Sequence, residues 1–286
     1  MVEYSADDIA AAKILQYLAY MYTMQATFWI YDYACSLHEE WTFLLRSRWS
    51  KVKALYVITR YLPFCLVTIY LYVNFAPNEN SNKCRTVINI FSCLSQITVI
   101  CSEYFFVLRT RAIWNNNKIV FVGMLSVAFA MIITSVSIRF TTISTSYVTT
   151  SAIPGILGCH WSSNSIRYFL SYILLFVFQL GLVSLTLIRA IQSWRSAKGH
   201  MYAVLVKHNI FYYACGLLLS AINALMPVLF SSSPYCNVLE DIQVFILAIL
   251  TTRMHLHLWH IDRDMHNSEA LMYISMSDMS TADHTV

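Results

Sequence analysis

Seven apolar stretches, each about as long as the hydrocarbon of a bilayer is thick, follow one another along this chain of 286 residues. They fall at Ile14–Leu37, Val52–Val73, Thr86–Leu108, Ile119–Ile138, Tyr168–Ile188, Ile210–Phe230 and Val238–His257. A helix needs on the order of 20 largely apolar residues to cross about 30 Å of hydrocarbon, and in lipid every backbone donor and acceptor must be paired within the segment. The stretches therefore predict an all-α, polytopic membrane protein with seven transmembrane helices. Composition agrees: 58% of residues are hydrophobic and 12% are charged, against roughly 25% charged in a soluble domain. Residues 1–260 are expected to form one bundle, and residues 261–286 a disordered cytoplasmic tail carrying Ser275, Ser277, Ser280 and Thr281 among acids, open to phosphorylation. Asp7 and Asp8 stand where a cleavable signal peptide would be basic, so the first helix is expected to be its own signal anchor.

Basic residues near span ends are retained on the cytoplasmic side, so their distribution predicts orientation. The first, third and fifth gaps and the C-terminal segment, counted with the span ends that adjoin them, hold thirteen of the nineteen Lys and Arg, among them Arg46, Lys53, Arg109, Arg189 and Arg253. The N-terminus and the other gaps hold five: Lys13, Lys83, Arg85, Arg139 and Arg167. The N-terminus is expected outside and the C-terminus in the cytoplasm, in the plasma membrane rather than an internal one. The net charge of +4 reflects this basic rim, which suits anionic lipid head groups and not nucleic acid.

That topology places three of the eight cysteines on the oxidising side: Cys84, Cys159 and Cys236. A Cys84–Cys159 disulfide would tie the long loop between Arg139 and Arg167 over the third helix. Cys236 would then be free or compete for a partner, and three reduced thiols is the alternative. Asp32, Arg60 and Glu103 need a different explanation, because ionisable groups inside spans are costly and by default paired or functional. All three sit at similar depth on the cytoplasmic side of separate helices, which predicts one intramembrane cluster. Its formal sum of −1 leaves room for a second cation, Arg109 or Arg253, or for a proton. Such a cluster is either a static packing device or a two-state switch. Pro63, three residues after Arg60, predicts a bend beside it.

Of the aromatic residues, Tyr70, Phe91, Trp161, Tyr168 and Tyr172 lie on the outer half and could line a ligand crevice. Motifs for chemistry are absent. His38-Glu39-Glu40 lacks the second histidine a zinc protease needs, and there is no phosphate loop, nucleophile elbow or Cys-x-x-Cys. His255, His257, His260 and His266 are irregularly spaced and fit an amphipathic segment at the inner leaflet better than a metal site. No cofactor, no metal and no enzymatic activity are expected.

Tyr31-Asp32-Tyr33, Leu37-His38-Glu39-Glu40-Trp41, Arg48-Trp49-Ser50, Lys53-Ala54-Leu55-Tyr56 and Thr59-Arg60-Tyr61-Leu62-Pro63 together resemble an N-terminal signature covering roughly residues 15–63. It is that of a basidiomycete fungal family of seven-span membrane proteins, defined by domain of unknown function 6533. The resemblance implies fold, membrane location and fungal origin, and no substrate. A looser likeness to G-protein-coupled receptors is architectural. The expected function is a receptor-like signal transducer, with an extracellular small-molecule ligand, a cytoplasmic signalling protein and the lipid bilayer as partners. A proton-coupled carrier using Asp32 and Glu103 is the alternative, and an intramembrane metal-dependent hydrolase a second.

Overall fold

A computed structural model describes residues 5–75, 81–145, 147–150, 159–162, 165–196, 200–229 and 235–282. Among the described residues are seven helices: α1 Ala6–Arg46, α2 Lys51–Phe75, α3 Ser81–Ile113, α4 Lys118–Thr145, α5 Ser165–Ser196, α6 His200–Leu229 and α7 Tyr235–Ala282. The loop between α4 and α5 carries an unpredicted antiparallel hairpin, β1 Tyr147–Thr150 with β2 Cys159–Ser162, in which Thr150 faces Cys159. Each helix packs on its neighbour in sequence, and α7 closes the bundle against α1, α2 and α3. The helix α7 runs through residue 260 without a break, so no change of secondary structure marks the expected start of the tail.

Six helices, α2 to α7, are long and apolar enough to cross a membrane, which marks the chain as a multi-pass membrane protein. Among the described residues, six of the seven expected spans meet this criterion of length and composition. The exception is α1, whose apolar residues are diluted by Gln16, Gln25 and a run of tyrosines, with Asp32 further along. The opposite case is α4. It is apolar throughout, yet only 11% of its apolar window is buried inside the protein. Val122, Phe129 and Phe140 are more than 60% exposed, a surface that suits lipid and not water.

Local chemistry sets the turns. Ser50 Oγ accepts from the Lys53 amide at 3.2 Å and starts α2. The Lys53 ammonium donates to the carbonyls of Leu44 at 2.7 Å and Ser47 at 2.8 Å, which closes the end of α1. Between α3 and α4, Asn115 (φ 52°) and Asn116 (φ 58°) take the left-handed conformation that asparagine tolerates best after glycine. Asn117 Oδ1 then accepts from the Ile119 amide at 2.9 Å to begin α4. These turns gather Arg46, Lys53, Arg111 and Lys118 at what we call the basic end of the bundle. The hairpin lies at the other, against α3.

The core forms around α7. One cluster joins Ala26 and Trp29 of α1, Leu66 and Val67 of α2, and Phe245 and Ala248 of α7. Another joins Phe106 of α3, Met124 of α4, Phe178 and Leu182 of α5, Tyr213 of α6 and Leu247 of α7. Opposite faces of α7 thus hold the two halves of the bundle together.

Candidate functional site: an ion cluster and a four-helix cavity

Arg60 is 1% exposed and surrounded by partners from α1. Its Nη1 donates to Asp32 Oδ2 at 2.7 Å, and its Nη2 donates to Ser36 Oγ at 2.5 Å and pairs with Glu40. The guanidinium also lies over the rings of Trp29, at 5.2 Å, and Tyr33, at 5.4 Å, a stacking that a weakly hydrated planar cation favours. Asp32, Ser36 and Glu40 are spaced by four residues, which places them on one face of α1. From α7, Arg253 donates to the other oxygen of Asp32, with Nε at 2.7 Å and Nη2 at 2.6 Å. Two acids thus meet two bases across three helices, and the cluster is formally neutral. Its α7 side opens into a polar cleft lined by Cys35, Glu39, Tyr212, Arg253, His257 and His260.

Of the four residues expected in one cluster, the structure brings together Asp32 and Arg60. Glu103 and Arg109 lie elsewhere. Arg109 Nη2 is 2.7 Å from His255 Nδ1, and that imidazole is packed edge-on against Phe43, with Tyr56 and Phe105 also beside it. Glu103 accepts from the Gln179 amide on α5. Glu103 meets Gln179 of α5 where sequence reasoning paired it with Asp32 and Arg60. Sequence reasoning passed over Glu40 as a partner, although the spacing Asp32, Ser36, Glu40 on one helix face was the available signal. Arg253 was one of the cations considered and is the one that fills the role.

The Glu103–Gln179 contact is the end of a directed chain that sequence reasoning missed. Asn223 Nδ2 donates to Gln243 Oε1 at 2.5 Å, and Gln243 Nε2 to Ser220 Oγ at 2.5 Å. The Ser220 hydroxyl then donates to Gln179 Oε1 at 2.6 Å, and Gln179 Nε2 donates to Glu103 Oε1. Each of these residues is buried. Polar groups inside the four apolar helices α3, α5, α6 and α7 were the sequence signal, since lone amides in lipid must find partners.

Beside this chain lies a cavity of about 580 Å³ between α3, α4, α5 and α7. Its wall is mostly alkyl and aryl, from residues such as Ile100, Val107, Phe129, Met131, Leu175 and Phe178. At the hairpin end, Arg139 of α4 and Glu240 of α7 form an ion pair within the lining, with Arg139 also donating to Ser92 at 3.3 Å. Further down, Glu103 and Gln243 bring the polar chain to the cavity wall. None of Asp32, Glu40, Arg60 and Arg253 contributes to that wall.

Of the five aromatics expected around a ligand crevice, Tyr172 lines this cavity. Tyr70 does not. It stacks on Tyr22 with centroids 4.1 Å apart and packs on Phe91 at 4.2 Å, which fills the space between α1, α2 and α3. The side chains of Trp161 and Tyr168 lie outside the described residues. So do those of Cys159 and Cys236. Cys84 is 3% exposed and stands apart from the free thiols, which include Cys35, Cys65, Cys93, Cys101 and Cys215. Among the described residues, no three His, Cys, Asp or Glu side chains are grouped as a metal site would require.

Comparison with known proteins gives one match. A family model described as a family of unknown function, DUF6533, covers residues 20–65. That segment holds the basic half of α1, the Ser50 turn and α2 as far as Pro63 and Cys65, and so Asp32, Glu40, Lys53 and Arg60. No curated protein and no solved structure matches the chain.

Proposed function

We propose that the protein is a receptor-like transducer of seven transmembrane helices, in which a ligand held between α3, α4, α5 and α7 acts on the ion cluster through α7. The observation that carries this reading is that one helix serves both sites. Gln243 and Val244 line the cavity, and Arg253, on the same helix, holds Asp32. A ligand that shifts α7 against α3 and α5 alters the grip of Arg253 on α1 at the basic end. The signal is then a change in a bistable packing arrangement, with no passage through the protein required. A carrier would need polar groups reachable from both faces, whereas the ion cluster takes no part in the cavity wall.

The seventh span in this reading is α1. Its 41 residues are ample for a crossing, and Tyr17, Tyr20, Met24, Phe28 and Tyr31 are each more than half exposed along it. Asp32 also pairs with groups on two helices that themselves qualify as spans. The N-terminus then lies outside and the basic end in the cytoplasm, where a signalling protein would meet the Arg253 cleft. On the outer side, Cys84 bonds Cys159. Supporting this, β2 begins at Cys159, β2 pairs with β1, and β1 packs on α3, whose first turn contains Cys84.

Site-resolved thiol labelling of the full chain in vesicles tests the coupling, with native Cys35 in the cleft as reporter. Filling the cavity with Ala128→Phe should change the labelling rate at Cys35 while leaving Cys65 unaffected. An unchanged Cys35 rate, or a proton flux into the vesicles that Glu103→Gln abolishes, contradicts the transducer reading.

A further inference from the structure

Glu103 presents an unmatched group to an apolar cavity. One carboxyl oxygen is taken by Gln179, while the other, Oε2, is buried and has no hydrogen-bond partner among the described residues. The residue as a whole is 7% exposed and lines the cavity. Leaving a charged acceptor unmatched in a medium of low dielectric is costly, and the cost is recovered when a cation or donor arrives.

The polarity of the chain behind Glu103 decides which kind of partner. From Asn223 through Gln243, Ser220 and Gln179, every group donates in the direction of Glu103. Donors aligned head to tail polarise one another and favour negative charge at the terminal acceptor. The other charged groups of the wall do not neutralise it, since Arg139 is paired with Glu240. Arg109, further along α3, is engaged with His255. Of the two carboxyl groups in the wall, Glu240 is paired with Arg139 and Glu103 is left for a ligand, with a lining of alkyl and aryl groups from α3, α4 and α5 around it. Its volume of about 580 Å³ is within the range of about 300–1,000 Å³ usual for small-molecule sites.

We propose that the cavity between α3, α4, α5 and α7 binds a lipophilic amine, an apolar chain or ring system bearing one protonated nitrogen that donates to Glu103 Oε2. The apolar body lies against Phe129, Met131, Leu175 and Phe178, and the ammonium completes the Asn223-to-Glu103 chain. Because α4 is mostly exposed along its apolar length, such a molecule can reach the cavity from the lipid around it. This inference rests on the reading of the cavity as the transducer's ligand site and adds the chemical class of the ligand.

Native mass spectrometry of the full chain in detergent, titrated with dodecylamine and separately with dodecanol, tests it. The two probes share their alkyl chain and differ in the head group. The expected result is one bound dodecylamine, about tenfold or more tighter than dodecanol, the margin of a charge-assisted hydrogen bond. Glu103→Gln should bring the amine to the alcohol's affinity, and Ala128→Phe should remove both. Equal affinities in the wild type, or an amine preference that survives Glu103→Gln, overturn the inference. If the Glu103→Gln variant does not fold, the amine-to-alcohol comparison in the wild type decides alone. Equal binding that Ala128→Phe abolishes removes the amine class and leaves the ligand cavity standing. Binding unaffected by Ala128→Phe removes both.

Discussion

Arg60 is held by two acids and a serine from α1, and its removal leaves Glu40, itself 1% exposed, without its cation. Breaking a buried pair from one side typically costs about 3–5 kcal/mol, so Arg60→Ala should lower the unfolding free energy in detergent by that order. Arg253→Ala should cost about 1 kcal/mol or less, because the Arg253 side chain is 46% exposed and Asp32 keeps Arg60. Thermal unfolding of the two variants checks the ranking, and equal losses would mean that Arg253 carries the cluster. At this scale the sequence revealed which residues must be explained and not whom they meet. Asp32, Arg60 and Glu103 were evident as charges in apolar stretches. Whether Glu103 faces α2 or α5 depends on the rotation of α3, which spacing along one helix does not specify.

Elements were the most legible level. All seven apolar stretches are helices, because a long apolar run in lipid has no other way to pair its backbone. Six of the seven helices extend beyond them at both ends, and α6 at its N-terminal end, with turns set by Ser50, Lys53 and the three asparagines at 115–117. Such polar caps are not marked by hydropathy. The hairpin was missed because its strands are only four residues long. Contacts between elements make two predictions. A Cβ on Gly216 of α6 would meet Leu247 Cδ2 of α7 at 3.2 Å, whereas nothing lies within 4 Å of one on Gly181. Gly216→Leu should therefore cost about 1–3 kcal/mol by forcing α6 from α7, while Gly181→Ala should be neutral or stabilise by up to about 1 kcal/mol; denaturation of both in detergent tests the contrast. For the proposed tie between α3 and the hairpin, Cys84→Ser and Cys159→Ser should each cost about 2–4 kcal/mol. The double variant should cost no more than either single one. Additive losses would show that the two thiols are independent.

For the whole molecule, the segment matched by the family model coincides with a structural unit. Residues 20–65 supply both acids and one of the two bases of the ion cluster, and the Lys53 turn that fixes α1 beside α2. The remaining base comes from α7, the helix that also joins both core clusters and borders the cavity. Packing, charge pairing and the proposed ligand site therefore converge on one helix. The proposed seven-span reading requires α1 to stand at membrane depth beside α2 and α7, although α1 falls short of the length-and-hydropathy criterion that the other six helices meet. Hydropathy judges a helix alone, and on this reading the ion pairs of Asp32 with Arg60 and Arg253, which come from elsewhere in the chain, make α1 compatible with lipid.

The most direct test is to locate both termini in the same sealed membrane, using epitope tags at residues 1 and 286 and an impermeant protease or antibody applied from one side. Seven spans place the tags on opposite faces, with the N-terminal tag outside. Both tags on one face would mean that α1 does not cross, and the account of the Asp32–Arg60–Arg253 cluster as an intramembrane device would fall with it.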